Sequence, residues 1–142
     1  MRKKNDIPPT ALRDYGGDPL VLNVKCAAQM NEKFRTVIWT GRDMQLTLMS
    51  IPVRGEIGVE MHADVDQMLC VESGCAKVYM GACRDDLQEV ACVYENDAII
   101  IPHSMWHNIV NVGKSPLKLS SLYAPPQHPF GAVHETKADA EH

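Results

Sequence analysis

Two short stretches of the chain each hold side chains with metal-binding atoms. The first, Gly58 to Gly74, reads GVEMHADVDQMLCVESG and holds Glu60, His62 and Gln67. The second, Asn96 to Asn111, reads NDAIIIPHSMWHNIVN and holds His107. Alternate residues of a strand point to one face, so Glu60 and His62 are expected to share one. A second strand entering the same cavity would bring His107 to them. Nitrogen and oxygen donors of this kind suit one divalent transition metal, whether Mn, Fe, Co, Ni, Zn or Cu. The alternative is that Glu60 and Gln67 are polar strand residues lining a cavity without a metal.

Proton transfer beside such a metal needs a base within reach. His103 follows Pro102 in the turn before His107 and is the best-placed candidate. Asp64 and Asp66 suit a solvated loop better, and Glu72, five residues after Gln67, points away from it on a regular strand. Trp106 precedes His107 and faces sheet packing on the opposite side. Gly113-Lys114-Ser115 lacks the upstream glycine and following helix of a phosphate loop, and Pro116 interrupts it.

The elements that must position these groups read as short strands. Strands are expected at Leu20 to Lys25, Phe34 to Thr40, Met44 to Ile51, Gln67 to Glu72 and Ala76 to Met80. Others follow at Gln88 to Tyr94, Ala98 to Ile101, Trp106 to Val112 and Leu117 to Tyr123. All are rich in β-branched, aromatic or alternating residues and bounded by turn signals. Between Met44 and Ile51, Leu46, Leu48 and Ser50 share one face, with Gln45, Thr47 and Met49 on the other. Ala98 to Ile101 is a continuous apolar run, expected as a buried strand. Ser73-Gly74 is a hairpin signal, and Ala27 to Lys33 reads as a turn or helical corner. No helical period persists for three turns, so the fold class is all-β, an antiparallel sandwich or barrel.

At 142 residues the chain suits one domain. Residues 1–19 read as a flexible arm, 20–124 as the barrel, and 125–142 as a tail that Pro125, Pro126 and Pro129 keep out of regular strands. Thr136 to Glu141 could form one helical turn. His128 and His134 read as surface or lid residues. The tail itself could fold back over the barrel mouth or clasp a second subunit.

A net charge of −4 and no basic cluster beyond Arg2-Lys3-Lys4 argue against a nucleic-acid partner. No apolar run reaches the roughly 18 residues of a membrane helix, and no apolar segment follows the N-terminal charges as in a secretory signal. The five cysteines form no CxxC pair, which points to free thiols in the cytoplasm.

The two site stretches resemble the paired motifs of the cupin superfamily. The first motif, G-x5-H-x-H-x3,4-E-x6-G, meets Glu60-x-His62-x4-Gln67-x6-Gly74 here, with Glu60 in place of the first His and Gln67 in place of the Glu. The second, G-x5-P-x-G-x2-H-x3-N, meets Asn96-x5-Pro102-x-Ser104-x2-His107-x3-Asn111. The resemblance covers about residues 40 to 124 and implies a jelly-roll barrel, or double-stranded β-helix. It also implies a metal held by Glu60, His62, Gln67 and His107. Three neutral ligands and one carboxylate keep the formal charge of a three-His, one-Glu site. The activity it implies is that of the small mannose-6-phosphate-isomerase-like cupins, a metal-dependent sugar or hydroxycarbonyl isomerase acting on a small molecule. An Fe- or Mn-dependent dioxygenase and a non-catalytic metal or ligand-binding module are the other readings. Cupins often pair through sheet edges, so a homodimer is expected by analogy.

Overall fold

The computed structural model describes residues 7–141. The elements, in order, are α1 (Val24–Met30), β1 (Arg35–Thr40), β2 (Gln45–Ile51), β3 (Asp66–Ser73), β4 (Cys75–Gly81) and β5 (Gln88–Tyr94). They continue with β6 (Ala98–Ile101), β7 (Trp106–Asn111), β8 (Leu117–Ala124), β9 (Val133–His134) and α2 (Lys137–Ala140). One antiparallel sheet has the order β6-β3-β8-β2-β1-β9, and a second has β5-β4-β7. This is the all-β double-stranded β-helix expected from the sequence. The β3–β4 reversal turns at Gly74, whose φ of +99° lies in the region that glycine alone enters without strain.

Strand alternation explains why the site lies at one end of the barrel. On the inward face β2 carries Gln45, Thr47, Met49 and Ile51, all fully buried. In register across β8 these residues meet Tyr123, Ser121, Leu119 and Leu117. On β3 the row continues with Gln67 opposite Tyr123, Leu69 opposite Ser121 and Val71 opposite Leu119. The strands are therefore apolar at one end and polar at the other. Met49, Ile51, Leu69, Val71, Leu117 and Leu119 join Val78 and Ile109 in the main core, which closes one end of the barrel. Burying such side chains contributes roughly 1.5–3 kcal/mol each. The polar rows are left to line the other end.

The outward face of β2 is also covered. Leu48 packs with Ile38 beneath Ala27 and Ala28 of α1. This corrects the expected strand at Leu20 to Lys25. Asn23 instead starts a helix, its side-chain oxygen accepting a hydrogen bond from the Cys26 N–H at 3.0 Å, and the small alanines let that helix lie flat on the sheet. The run Ala98 to Ile101 is not buried on both faces, since Ile99 and Ile101 point inward while Ile100 is 69% exposed. It lies at the edge of its sheet, where one face is open to solvent.

Both segments expected to flank the barrel are tied to it. Tyr15 N–H bonds to the Ile38 carbonyl at 2.8 Å, and Thr40 N–H bonds to the Gly16 carbonyl at 3.1 Å. The Asp14 carboxylate accepts from Thr40 Oγ1 at 2.6 Å and from Gly131 N–H at 2.9 Å, linking the two ends of the chain. Residues 133–134 add β9 beside β1, pairing His134 with Arg35. Thr136 and Asp139 form a capping box that starts the single turn of α2. The Arg2-Lys3-Lys4 run lies outside the described residues. All five cysteines are free, and no helix among the described residues is long and apolar enough to cross a membrane.

Candidate metal centre

His107 reaches the site from β7, and Glu60 is held beside it by the backbone. Glu60 N–H bonds to the His107 carbonyl at 3.0 Å, and His107 N–H bonds back to the Glu60 carbonyl at 2.9 Å. Glu60 and His62 thus lie on an extended loop bridged to β7 rather than on a regular strand of their own. The loop is fixed again where Ser104 N–H bonds to the His62 carbonyl at 2.7 Å. Glu60 Oε1 lies 3.3 Å from His107 Nε2 and 3.5 Å from His62 Nε2. Ligand atoms of all three residues lie within 4.8 Å of one another.

The fourth expected donor, Gln67, is 3% exposed on β3. Its Nε2 donates to Ser121 Oγ at 2.9 Å, while its Oε1 is buried without a partner. His62 Nε2 is likewise buried with no hydrogen bond. Unpaired buried polar atoms are costly; Gln67 Oε1 has no protein partner, and His62 Nε2 has only the long 3.5 Å contact with Glu60. The three ligand atoms of Glu60, His62 and His107 could hold a divalent cation, with Gln67 as the fourth donor that the family resemblance implies, and two imidazoles with oxygen donors suit a transition metal better than Ca or Mg. Burial alone would raise the Glu60 carboxyl, but hydrogen bonds and charge from His107 and His62 outweigh it and hold the group well below the usual carboxylate range. Glu60 is therefore an anion ready to bind a cation.

The site opens into a cavity of about 560 Å³ whose walls include Arg35, Glu60, His62, Gln127, His128 and Lys137. His103, expected as the base, does not face it. That residue is exposed, with its N–H bonded to Asp66 Oδ1 at 2.9 Å and its Nδ1 3.2 Å from Ser104 Oγ. It shapes the turn before β7, and Asp66 serves the same turn. Glu72 accepts from Ser120 Oγ at 2.7 Å, and the Trp106 ring lies beneath the Arg84 guanidinium at 5.7 Å.

A chain of rings runs from His62 toward the cavity, and it includes His128 and His134, which read from sequence as surface or lid residues, and Tyr123, which was not singled out from sequence. The Tyr123 ring lies 5.8 Å from that of His62, the His128 ring 5.0 Å from Tyr123, and the His134 ring 6.1 Å from His128. Tyr123 OH and His128 Nε2 are both buried and unpartnered. Burial pushes the Tyr123 hydroxyl above its ordinary pKa, so it keeps its proton. Burial, aided by the charge of Arg35, pushes His128 down to about 3, so its ring is neutral. Tyr123 was legible in principle, since it follows Leu119 and Ser121 on the inward face of β8. His128 sits in a proline-rich segment without periodicity and carries no such signal.

No family model matches the chain. It is 51% identical over 129 residues to YrkC, an uncharacterized protein of Bacillus subtilis strain 168, covering 91% of this chain and 69% of that protein. The crystal structure of BH2720 from Bacillus halodurans superposes with a TM-score of 0.89 at 49% identity, covering 91% of this chain and 98% of that one. The cupin domain of Cnp3 from Schizosaccharomyces pombe shares the fold with a TM-score of 0.57 at 15% identity, covering 66% of each chain. The chain belongs to the same family as YrkC, and its fold is the double-stranded β-helix of the cupins.

Proposed function

We propose that the protein is a metal-dependent enzyme that moves protons on a small hydroxycarbonyl compound, as in sugar or 2-hydroxycarbonyl isomerisation. The observation that supports this reading is that Glu60 and His62 share a cavity wall with His128, with buried His107 behind Glu60 and the Tyr123 ring against those of His62 and His128. A divalent metal held by Glu60, His62, His107 and Gln67 would polarise a carbonyl or hydroxyl pair and acidify the adjacent C–H.

The chain's own residues supply the complementary parts. At neutral pH burial keeps the His128 ring neutral and the Tyr123 hydroxyl protonated, so His128 Nε2 and Tyr123 OH can hydrogen-bond and orient a substrate's oxygen atoms beside the metal. Both shifts move away from neutral pH, so the two groups serve as positioning residues rather than as an acid–base pair. The apolar layer of Leu69, Met49 and Leu119 closes the barrel behind the site and excludes water from that side.

The test is solvent-proton exchange followed by NMR in D2O, using protein loaded in turn with Mn, Fe, Co, Ni and Zn and a panel of hydroxyaldehydes, hydroxyketones and 2-hydroxy acids. The expected result is metal-dependent deuterium incorporation beside a carbonyl, abolished in His107→Ala and reduced in His128→Gln. Oxygen uptake with Fe(II) and no exchange would replace this reading with a dioxygenase. Metal binding with neither activity would replace it with a binding module.

A further inference from the structure

We propose that Arg35 is the seat of a substrate carboxylate, so that the compound handled at the metal site is a small carboxylic acid. The inference rests on the reading of the cavity as a substrate site and adds the chemical class of its occupant.

Arg35 opens β1 on the inward face, paired with Met49 on one side and His134 on the other. It is 4% exposed. A guanidinium keeps its charge at any physiological pH, and taking it out of water is costly unless an anion and hydrogen bonds compensate. The protein supplies little compensation. Nη1 lies 3.1 Å from His134 Nδ1, whereas Nε is buried with no partner. The Phe34 ring lies 5.3 Å from the guanidinium carbon. Among the described residues no carboxylate comes within ion-pairing distance of Arg35. Glu60, the acid on the inner wall, is engaged by His62 and His107.

With Nη1 turned to His134, the Nε edge of the fork is free, and that edge presents parallel N–H donors to a planar, two-oxygen acceptor. Beside it lie His128 Nε2, which has no partner, and Tyr123 OH, which Ser121 and Arg35 approach without a well-formed hydrogen bond, and Arg35 lowers the proton affinity of both side chains through its charge. An oxyanion on Arg35 would satisfy the buried charge and leave these two groups facing the rest of the same molecule. A phosphate fits less well, because it needs several cationic donors. The other cations on the cavity wall are engaged elsewhere, Lys137 with Glu56 and Glu141, and Arg84 over Trp106.

The experiment is calorimetric titration of manganese-loaded and metal-free protein with lactate, lactamide and inorganic phosphate. Lactate is expected to bind roughly tenfold or more tightly than its amide. Arg35→Gln should erase that preference without changing manganese content, and Arg35→Lys should retain part of it. Equal affinity for acid and amide in the wild-type protein, or tighter binding of phosphate than of lactate, overturns the inference whether or not either variant folds. The two readings fail separately. Stoichiometric manganese without an acid preference removes the carboxylate seat alone. An Arg35-dependent acid preference in a protein that takes up no metal removes the metal reading alone.

Discussion

Glu60 Oε1 lies 3.3 Å from His107 Nε2, and the backbones of the same two residues exchange a reciprocal pair of hydrogen bonds. The opposite edge of the imidazole is fixed as well, with Nδ1 2.9 Å from the Met105 carbonyl oxygen. An Nδ1–H donated to that carbonyl would leave the Nε2 lone pair to a cation when one is bound, in place of the Nε2 contact with Glu60. Glu60 is thus placed by β7 itself, although it stands far from His107 in sequence.

If a metal binds here, this relationship predicts that Glu60 is a direct ligand on a par with His107. Glu60→Ala and His107→Ala should each lose most bound metal, measured by elemental analysis after dialysis against a weak chelator. Full occupancy in Glu60→Ala would remove it from the metal shell.

Gln67 gives a prediction with two opposite signs. Its Oε1 is buried without a partner, and a carboxylate there would be a stronger donor to a cation but an uncompensated charge without one. Gln67→Glu is expected to bind metal more tightly than wild type in a competition assay. Its metal-free form should be less stable by about 1–3 kcal/mol, with the deficit recovered on adding metal. An unchanged affinity would show that the amide oxygen does not contact the ion.

The barrel was legible because strand alternation and motif spacing are local properties. Every expected strand from Phe34 onward is present within a residue or two, and the side chains of His62 and His107 lie close together. Glu60 reaches them differently, through a bridge to β7 rather than by strand alternation. What sequence did not show depends on contacts between distant segments. Arg35 meets His134 only because the tail returns as β9, and His128 meets Tyr123 because Gln45 holds the tail. Gln45 Oε1 accepts from the backbone N–H groups of Gln127 and His128 at 3.1 and 2.8 Å, and its Nε2 donates to the His128 carbonyl at 2.8 Å. His103 lies outside the cavity for the converse reason. Its nearness in sequence to His107 put it in the turn, on the solvent side.

Asn111, the last residue of the second motif, has a structural task. It is 3% exposed. Its Nδ2 lies 3.0, 3.2 and 3.0 Å from the carbonyls of Ile51, Pro52 and Ser115, and its Oδ1 accepts from Gly113 N–H at 2.8 Å. One side chain thereby joins the ends of β2 and β7 to the turn before β8. Asn111→Ala leaves several of these backbone groups without partners and is expected to cost about 2–4 kcal/mol in urea unfolding. The metal content of the folded fraction should be unchanged. Loss of metal at full stability would instead place Asn111 in the site.

Acid sensitivity should follow from His128. Its pKa is about 3 in the folded protein against an ordinary 6.5, with burial first and the charge of Arg35 second among the causes. Between those values the unfolded chain binds a proton that the folded state refuses. The stability contribution is therefore fully present above about pH 6.5 and is lost as pH falls toward 3. The limiting slope for one group is about 1.4 kcal/mol per pH unit, reduced here because the ring keeps some contact with solvent. His134, also lowered by burial and by Arg35, acts in the same direction. The depressed Glu60 carboxyl adds to the loss only below about 4.5, its ordinary value. Urea unfolding of metal-free protein should thus show a loss of about 1 kcal/mol between pH 7 and 5, the window in which the histidines act before the carboxyl. His128→Gln should flatten most of that loss. An undiminished slope in the variant would assign the acid sensitivity to other groups and show that the ring can be protonated in place.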